Sequence, residues 1–143
     1  MILVLDTNVL SALSAVRPPA VIVDWVRARR STDLFTTTVN QAELLAGLSA
    51  MPLGRRRAGL TDFARALFTE DFSGRILDFD VPAALEYAEI YASRRRADRP
   101  QSMADTMIAA IARVHNAIVV TRNVRDFDGC GVEVVNPWDA PVT

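Results

Sequence analysis

The stretch MILVLDTNVL (residues 1–10) decides the fold class. Four consecutive apolar residues, Ile2 to Leu5, lead straight into the acidic Asp6. The small polar residues Thr7 and Asn8 follow before the chain becomes apolar again. A short, continuous apolar run is typical of a strand that is buried on both faces of a parallel sheet. The stretch therefore predicts a buried first strand that ends at a carboxylate.

Four further segments have the apolar or β-branched character of strands, and helical patterns lie between the segments. The strand segments are DLFTTTV (33–39), RILDFD (75–80), AIVVT (117–121) and VEVVN (132–136). The helical patterns cover the residues after Pro19 and residues 39–51, 55–72, 81–96 and 102–116. This arrangement predicts an α/β fold with a mostly parallel five-stranded sheet sandwiched by helices. We find no repeat or linker, so we expect a single domain over residues 1–143.

The composition excludes several classes of protein. All 16 basic side chains are arginine, which excludes mechanisms that need a lysine, such as P-loop phosphate binding and Schiff-base catalysis. The net charge of −1 provides no global attraction for nucleic acid. A single cysteine, Cys130, excludes an internal disulfide and fits a reducing compartment. Without a signal-peptide pattern or a membrane-spanning run, the sequence predicts a cytoplasmic protein with no membrane contact.

Four acidic residues fall where a parallel sheet gathers its functional groups. In open parallel sheets, ligands bind beyond the carboxyl ends of the strands. Asp6 follows the first strand, and Asp126 lies in the loop after AIVVT. Glu43 and Asp105 lie in the first turns of two helices, and Ser102 is the expected N-cap of the second helix. We therefore expect the four carboxylates to converge in one pocket.

The predicted cluster of carboxylates indicates a metal site. Converging carboxylates repel one another, and burial increases that cost. A divalent cation relieves the repulsion, and ligands that are all oxygen favour a hard ion such as Mg²⁺ or Mn²⁺. No Cys/His spacing indicates zinc. The sequence leaves open whether one or two ions bind, and each acid taken alone has a simpler explanation as a strand end, a cap or a solvated helix residue.

Four motifs resemble those of the PIN-domain nucleases in order and spacing. They are VLDTNVL (4–10), NQAELLAG (40–47), SMADTMIAAIA (102–112) and VTRNVRDF (120–127). The arrangement is similar to that of the VapC-type toxins of bacterial toxin–antitoxin pairs, and DFDGCGVEVVNPW (126–138) looks most like the FitB-like branch. The resemblance covers nearly the whole chain. It implies an α/β/α sandwich that cleaves RNA with Mg²⁺ or Mn²⁺ as its cofactor.

The resemblance also assigns catalytic and metal-binding roles to individual acids. The three metal-site acids of the family correspond to Asp6, Glu43 and Asp105, and a fourth, more variable acid corresponds to Asp126. Asp128 is close enough in the chain to share that fourth role. We prefer Asp126 because the motif TRN-x-x-DF places the acid directly before a phenylalanine.

Polar and basic residues near these acids complete the predicted site. The supporting polar residues are Thr7, Asn8, Thr121 and Asn123; the resemblance implies that Thr121 and Asn123 are the polar pair beside the fourth acid. Thr7 is equally well explained as the residue that starts a helix. The candidate contacts to RNA phosphates are Arg94, Arg95, Arg96, Arg122 and Arg125. The run of three arginines has an alternative explanation as a solvated helix end, which the helix dipole favours.

The resemblance further implies partners. It predicts an RNA substrate, a homodimer, and a cognate antitoxin that inhibits the toxin by filling the acidic site. It also predicts a higher assembly of toxin and antitoxin on promoter DNA. Two alternatives remain open, namely a PIN-like module that binds RNA or protein without cutting, and a housekeeping nuclease that processes RNA. The full set of acids favours a cutting enzyme.

Overall fold

The fold is built on one parallel sheet. The computed structural model describes residues 1–139. The strands are β1 Leu3–Leu5, β2 Leu34–Thr37, β3 Ile76–Leu77, β4 Ile118–Val120 and β5 Glu133–Val135. Their spatial order is β3-β2-β1-β4-β5, and all neighbouring strands are parallel. The predicted five-stranded α/β fold is therefore confirmed, with the apolar β1 in the central position.

Six α-helices cover the sheet in the described part of the chain. They are α1 Thr7–Ser14, α2 Ala20–Arg27, α3 Thr38–Ser49, α4 Arg55–Ala66, α5 Val81–Arg96 and α6 Met103–Val114. A π-helical turn, Leu67–Asp71, continues α4. The sequence indicates the helix α1 only as an alternative explanation of Thr7, because its eight residues carry too short a periodic pattern to predict it directly. None of the helices in residues 1–139 has the length and apolar character needed to cross a membrane.

The pleat of β1 divides the core into two layers. Successive side chains of a strand point to opposite faces of the sheet. Leu3 and Leu5 pack with buried residues of α1 to α4, whereas Val4 packs with buried residues of α5 and α6. All three side chains are at most 4% exposed, and burial of each contributes about 1.5–3 kcal/mol. Packing on both faces thus fixes the position of the residue that follows, Asp6.

The carboxyl ends of β1, β2 and β4 lie side by side at one edge of the sheet. The backbone N–H of Asp6 donates to the carbonyl of Val120 at 2.9 Å, which joins the ends of β1 and β4. Asp6 is also the N-cap of α1, and Thr37, at the end of β2, is the N-cap of α3. Because both strands lead into helices without a loop, the first turns of α1 and α3 lie at this edge.

Candidate active site

Asp6 lies at the centre of a hydrogen-bond network and is 5% exposed. Its Oδ1 accepts from the backbone N–H of Thr7 at 2.8 Å and from Asn40 Nδ2 at 2.9 Å. Its Oδ2 accepts from Thr121 Oγ1 at 2.8 Å and from Asn8 Nδ2 at 3.5 Å. These donors come from three different parts of the chain, so the fold itself fixes the direction of both carboxylate oxygens.

Asn40 is the residue of this network that the sequence motifs did not single out. It is fully buried in the first turn of α3. Its Nδ2 donates to Asp6 and also to Thr7 Oγ1 at 3.1 Å, while its Oδ1 accepts from Thr37 Oγ1 at 2.7 Å. The available signal was its position in the NQAELLAG motif, one helical turn before Glu43 and three residues after a strand-ending threonine.

Thr7 connects the Asp6 network to Glu43. Its Oγ1 donates to Glu43 Oε1 at 2.8 Å and accepts from Asn40. Thr7 is also the first residue of α1, so the same residue starts the helix and orients the Glu43 carboxylate. Glu43 and Asn40 are three residues apart on α3 and therefore lie on the same face of that helix. The face directs one exposed carboxylate and one buried amide toward Thr7.

Thr121 ties the segment after β4 to Asp6. Its buried hydroxyl donates to Asp6 and accepts from Asn8 Nδ2 at 3.0 Å and from the backbone N–H of Asn123 at 3.1 Å. The Oδ1 of Asn8 accepts in turn from the backbone N–H of Arg122 at 3.2 Å. Asn8 and Thr121 therefore orient Asp6, whereas Asn123 contributes its backbone to this network.

The four predicted acids line one shallow pocket of about 500 Å³. The complete lining is Asp6, Thr7, Asn8, Ser11, Glu43, Ser102, Asp105, Asn123 and Asp126. Asp105 lies in the first turn of α6, where its backbone N–H donates to Ser102 Oγ at 3.0 Å, and Asp126 lies in the 3₁₀ turn Val124–Phe127. The pocket thus gathers residues from the ends of β1 and β4 and from the starts of three helices.

The carboxylates in this pocket disfavour one another's charge. Burial is the main reason that the pKa of Asp105 rises to about 6, and hydrogen bonding to Ser102 opposes that rise. The negative charges of the other three acids raise it further. Burial also raises the pKa of Asp6, against the hydrogen bond from Thr121, and the charge of Asp126 adds to the rise. A positive charge in the pocket would relieve both effects.

The spacing of the acids limits how a metal ion can bind. In residues 1–139, no three Asp, Glu, His or Cys side chains lie close enough together to form a compact ligand group. Mg²⁺ keeps several of its waters and is usually bound through one or two carboxylates. The side chains that line the pocket include carboxylates, hydroxyls and amides but no His or Cys. This donor set fits a hydrated Mg²⁺ or Mn²⁺ ion and does not fit a closed protein cage.

Asp126 and Asp128 occupy different environments, which bears on the alternative left open by the sequence. Asp126 lines the pocket with the other acids. Asp128 is 66% exposed in its side chain and pairs with Arg99, with Nη1 and Oδ2 3.2 Å apart. Of these two residues, Asp126 is therefore the one that can act in the pocket.

Arg94 requires a correction, because its predicted contact with RNA phosphate conflicts with its burial. The residue is 3% exposed, and its guanidinium donates to the carbonyl oxygens of Pro100 and Asp128. The helical period turns this position of α5 toward the protein, while the next two arginines, Arg95 and Arg96, remain exposed. A run of three arginines thus contains one buried and two solvated side chains.

Arg122 and Arg125 are exposed and lie beside the pocket in the chain, on either side of Asn123. The guanidinium carbon of Arg122 lies 4.9 Å from the centre of the Trp138 ring, a cation–π distance. The backbone of Arg122 also contacts Asn8, so the position of this arginine is coupled to the network around Asp6.

Sequence comparison identifies relatives over nearly the full chain. The PIN domain family matches residues 3–129. Plasmid stability protein StbB of Pseudomonas syringae is 37% identical over 96% of this chain and 99% of that protein. The VapC ribonuclease Y4jK of Sinorhizobium fredii is 34% identical over 96% and 98%. Toxin FitB of Neisseria gonorrhoeae is 32% identical over 95% and 98%.

Solved structures show the same similarity. FitAcB from Neisseria gonorrhoeae superposes with a TM-score of 0.90 at 34% identity, covering 98% of this chain and 100% of that chain. A FitAB structure bound to an IR36 DNA fragment also gives a TM-score of 0.90, at 32% identity and 99% coverage of both chains. The chain therefore belongs to the PIN-domain family, in the group that includes the VapC ribonuclease Y4jK and the toxin FitB.

Proposed function

We propose that this chain is a Mg²⁺- or Mn²⁺-dependent endoribonuclease that acts as the toxin of a type II toxin–antitoxin pair. The observation that carries the proposal is the single pocket lined by Asp6, Glu43, Asp105 and Asp126. The raised pKa of Asp105, about 6, supports a site that needs a cation for its charge balance. The similarity to a VapC ribonuclease and to toxin FitB supports RNA as the substrate and toxicity as the role.

Different acids of the pocket have different proposed roles in holding the metal ion and its waters. When bound, a divalent ion neutralises a phosphate oxygen and lowers the pKa of an attacking water. Asp6 and Asp105 are our first-choice ligands. Glu43, which Thr7 orients, would hold the ion or one of its waters, and Asp126, which lines the same pocket, would hold a water or a second ion. The pocket is shallow, which fits a polymeric substrate that lies across its mouth.

The proposed phosphate contacts are exposed arginines close in the chain to the segments that line the pocket. Arg122 and Arg125 follow β4 and flank Asn123, whereas Arg95 and Arg96 lie at the end of α5, before the loop that enters α6. A guanidinium can bind a phosphate through two parallel hydrogen bonds. These residues would place the RNA backbone over the acids and compensate for the absence of a global positive charge.

A cognate antitoxin is the proposed inhibitor, and an apolar groove next to the acids supports it. The groove, of about 720 Å³, is lined by α1, α3 and α4, with Leu44, Leu48, Leu60 and Phe63 among its apolar residues. Glu43 lines both the groove and the acidic pocket. An antitoxin segment with apolar residues in the groove and an arginine over the acids would match both surfaces and block the metal site.

The proposed assembly extends to a homodimer and to DNA. The similar FitAB structure is bound to a DNA fragment, which supports a complex of toxin and antitoxin on promoter DNA. In that complex the antitoxin would read the DNA, since this chain carries no overall positive charge.

The direct test of the activity is cleavage of labelled RNA by purified protein in Mg²⁺, in Mn²⁺ and in EDTA. We expect cleavage with either ion, none in EDTA, and recovery when excess Mn²⁺ is added. Cleavage by metal-stripped protein in EDTA contradicts metal dependence. RNA binding without cleavage in every buffer would instead favour the non-catalytic binding module.

The toxin role has a separate test. We expect induced expression to stop growth and co-expression of the adjoining reading frame to restore it, because the partner would occupy the acidic pocket. An Asp105→Asn variant is the matched control and should not arrest growth. Normal growth during high expression of a protein that is active in vitro would favour the housekeeping nuclease.

A further inference from the structure

Arg94 is a buried arginine whose hydrogen-bond partners in residues 1–139 are all neutral. It lies in the last turn of α5 and is 3% exposed. Its Nη2 donates to the carbonyl of Pro100, and its Nη1 donates to the carbonyl of Asp128 and lies 3.4 Å from Cys130 Sγ. Its Nε has no hydrogen-bond partner within the described chain. A buried charge held only by neutral acceptors costs stability, so folding alone does not account for this contact.

The two carbonyls that Arg94 binds belong to the two segments that carry acids of the pocket. Pro100 lies in the loop that enters α6, five residues before Asp105. Asp128 lies two residues after Asp126. A guanidinium is planar, and its donors diverge in a fixed geometry. One side chain therefore bridges the two segments.

A second contact joins the same two segments but is weaker. Arg99, in the loop that enters α6, pairs with the carboxylate of Asp128 at 3.2 Å. The two side chains are 45% and 66% exposed, and ion pairs of this kind contribute little because water screens them. The buried guanidinium of Arg94 is thus the stronger of these two polar connections, and it adds to the apolar packing of Phe127 with α6.

We propose that Arg94 is a positioning residue of the metal site, holding Asp105 and Asp126 at the spacing that a cation requires. This inference rests on the proposed function, because it assigns a role relative to that metal site. Replacement of Arg94 would let the two segments separate and would weaken metal binding. Binding of RNA without metal would stay unchanged, because the guanidinium is buried and does not reach the substrate.

The test is Mn²⁺ binding to the full chain, measured by electron paramagnetic resonance in the absence of RNA. We expect Arg94→Met to weaken Mn²⁺ affinity by about tenfold, in line with other substitutions behind metal ligands. Arg94→Lys should weaken it by about threefold, because a lysine keeps the charge but not the two-armed geometry. The control is Arg65→Met, at an exposed position on α4, and its Mn²⁺ affinity should stay within about twofold of that of the wild type.

Companion measurements separate this role from a purely structural one. Circular dichroism and thermal unfolding in EDTA report whether each variant folds, and Arg94→Lys carries the test if Arg94→Met does not fold. A folded Arg94 variant that binds Mn²⁺ as tightly as the wild type overturns the inference, even if its melting temperature falls. In that outcome the proposed function stands, because the wild type still binds Mn²⁺.

Two further outcomes are decisive. If the wild type itself binds no Mn²⁺, the proposed metal site fails together with this inference. If an Arg94 variant binds metal normally but has a lower affinity for RNA in EDTA, with a smaller salt dependence, the residue contacts phosphate and the positioning role is wrong.

Discussion

The two sides of the acidic pocket hold their carboxylates in different ways. On one side, Asp6 follows the central strand and accepts hydrogen bonds from Thr7, Asn8, Asn40 and Thr121. On the other side, Asp105 lies at the start of α6, and burial with neighbouring negative charge brings its pKa to about 6. Hydrogen bonds therefore offset part of the burial penalty on Asp6, whose pKa is still raised, whereas Asp105 has only the opposing hydrogen bond with Ser102.

The largest effect that tests this difference is loss of activity. Asp6→Asn and Asp105→Asn should each reduce RNA cleavage by at least about 10²–10³-fold, the loss typical when a group that stabilises transition-state charge is removed. Single-turnover rates with saturating Mn²⁺ would measure it. Asp128→Asn, outside the pocket, is the control and should remain within about threefold of the wild type. An active Asp105→Asn variant would contradict the assignment.

The next largest effect is a loss of stability when a hydrogen-bond donor to Asp6 is removed. Asn40→Leu removes the amide and leaves Asp6 Oδ1 and the Thr37 hydroxyl short of a partner in a buried site. We expect a loss of about 1–3 kcal/mol in the free energy of unfolding, measured with urea in EDTA. Gln41→Leu, at the neighbouring half-buried position, is the matched control and should change stability by about 0.5 kcal/mol or less. Equal stability of the two variants would show that the network is not needed.

Replacement of the Asp105 carboxylate should raise the stability of the metal-free protein, an effect that is smaller than that of Asn40→Leu and opposite in sign. The folded-state pKa of Asp105, about 6, exceeds the ordinary value of 3.8, so ionisation is penalised only in the folded protein. That penalty grows as the pH rises from about 4 through 6. Asp105→Asn removes the penalty and should raise the melting temperature of metal-free protein at pH 7.5 by about 2–4 °C, equivalent to about 1 kcal/mol.

The pH dependence provides the check on this gain. The difference in melting temperature between Asp105→Asn and the wild type should shrink as the pH falls through 6, because Asp105 then becomes neutral in the folded state. Thermal unfolding in EDTA at pH 7.5 and at pH 5 would measure it. A difference that is independent of pH, or a variant that melts lower at pH 7.5, would contradict the raised pKa.

The smallest predicted effect is on RNA binding, and it tests whether the arginines at the end of α5 contact RNA on the Asp105 side of the pocket. The double variant Arg95→Gln/Arg96→Gln should weaken RNA binding severalfold. The slope of log affinity against log salt concentration should fall by about 0.7 for each phosphate of a single strand that the protein no longer binds. Fluorescence anisotropy over a salt series in EDTA measures both. Arg65→Gln, an exposed position on α4, is the control. An unchanged slope would assign Arg95 and Arg96 to the solvated helix end.

The fold was largely predictable because its signals are local. The apolar run Ile2–Leu5 and the alternation of strands with helices each depend on neighbouring residues, and they led to the five parallel strands. The helix α1 was predictable only as an alternative explanation of Thr7, because eight residues are too few for a clear period and because its first turn coincides with the polar end of β1.

The site was predictable only in part, because its details depend on contacts between distant segments. The hydrogen bond from Asn40 to Asp6 spans 34 residues and follows from the pairing of β1 with β2. The burial of Arg94 depends on the rotation of α5 against its neighbours, whereas in sequence the residue looks the same as Arg95. The motif TRN-x-x-DF favoured Asp126 over Asp128, but their different surroundings follow from the three-dimensional path of the loop.

The anomalous scattering of Mn²⁺ in crystals of the protein would reveal directly whether the four acids form a metal site. We expect a peak in the acidic pocket, with Asp6 and Asp105 as direct ligands of the ion. Glu43 should bind the ion either directly or through a water. Asp126 should contact the ion's waters or a second ion. Crystals saturated with Mn²⁺ that show no peak among these four side chains, from a protein that still cleaves RNA, would contradict the proposed metal site.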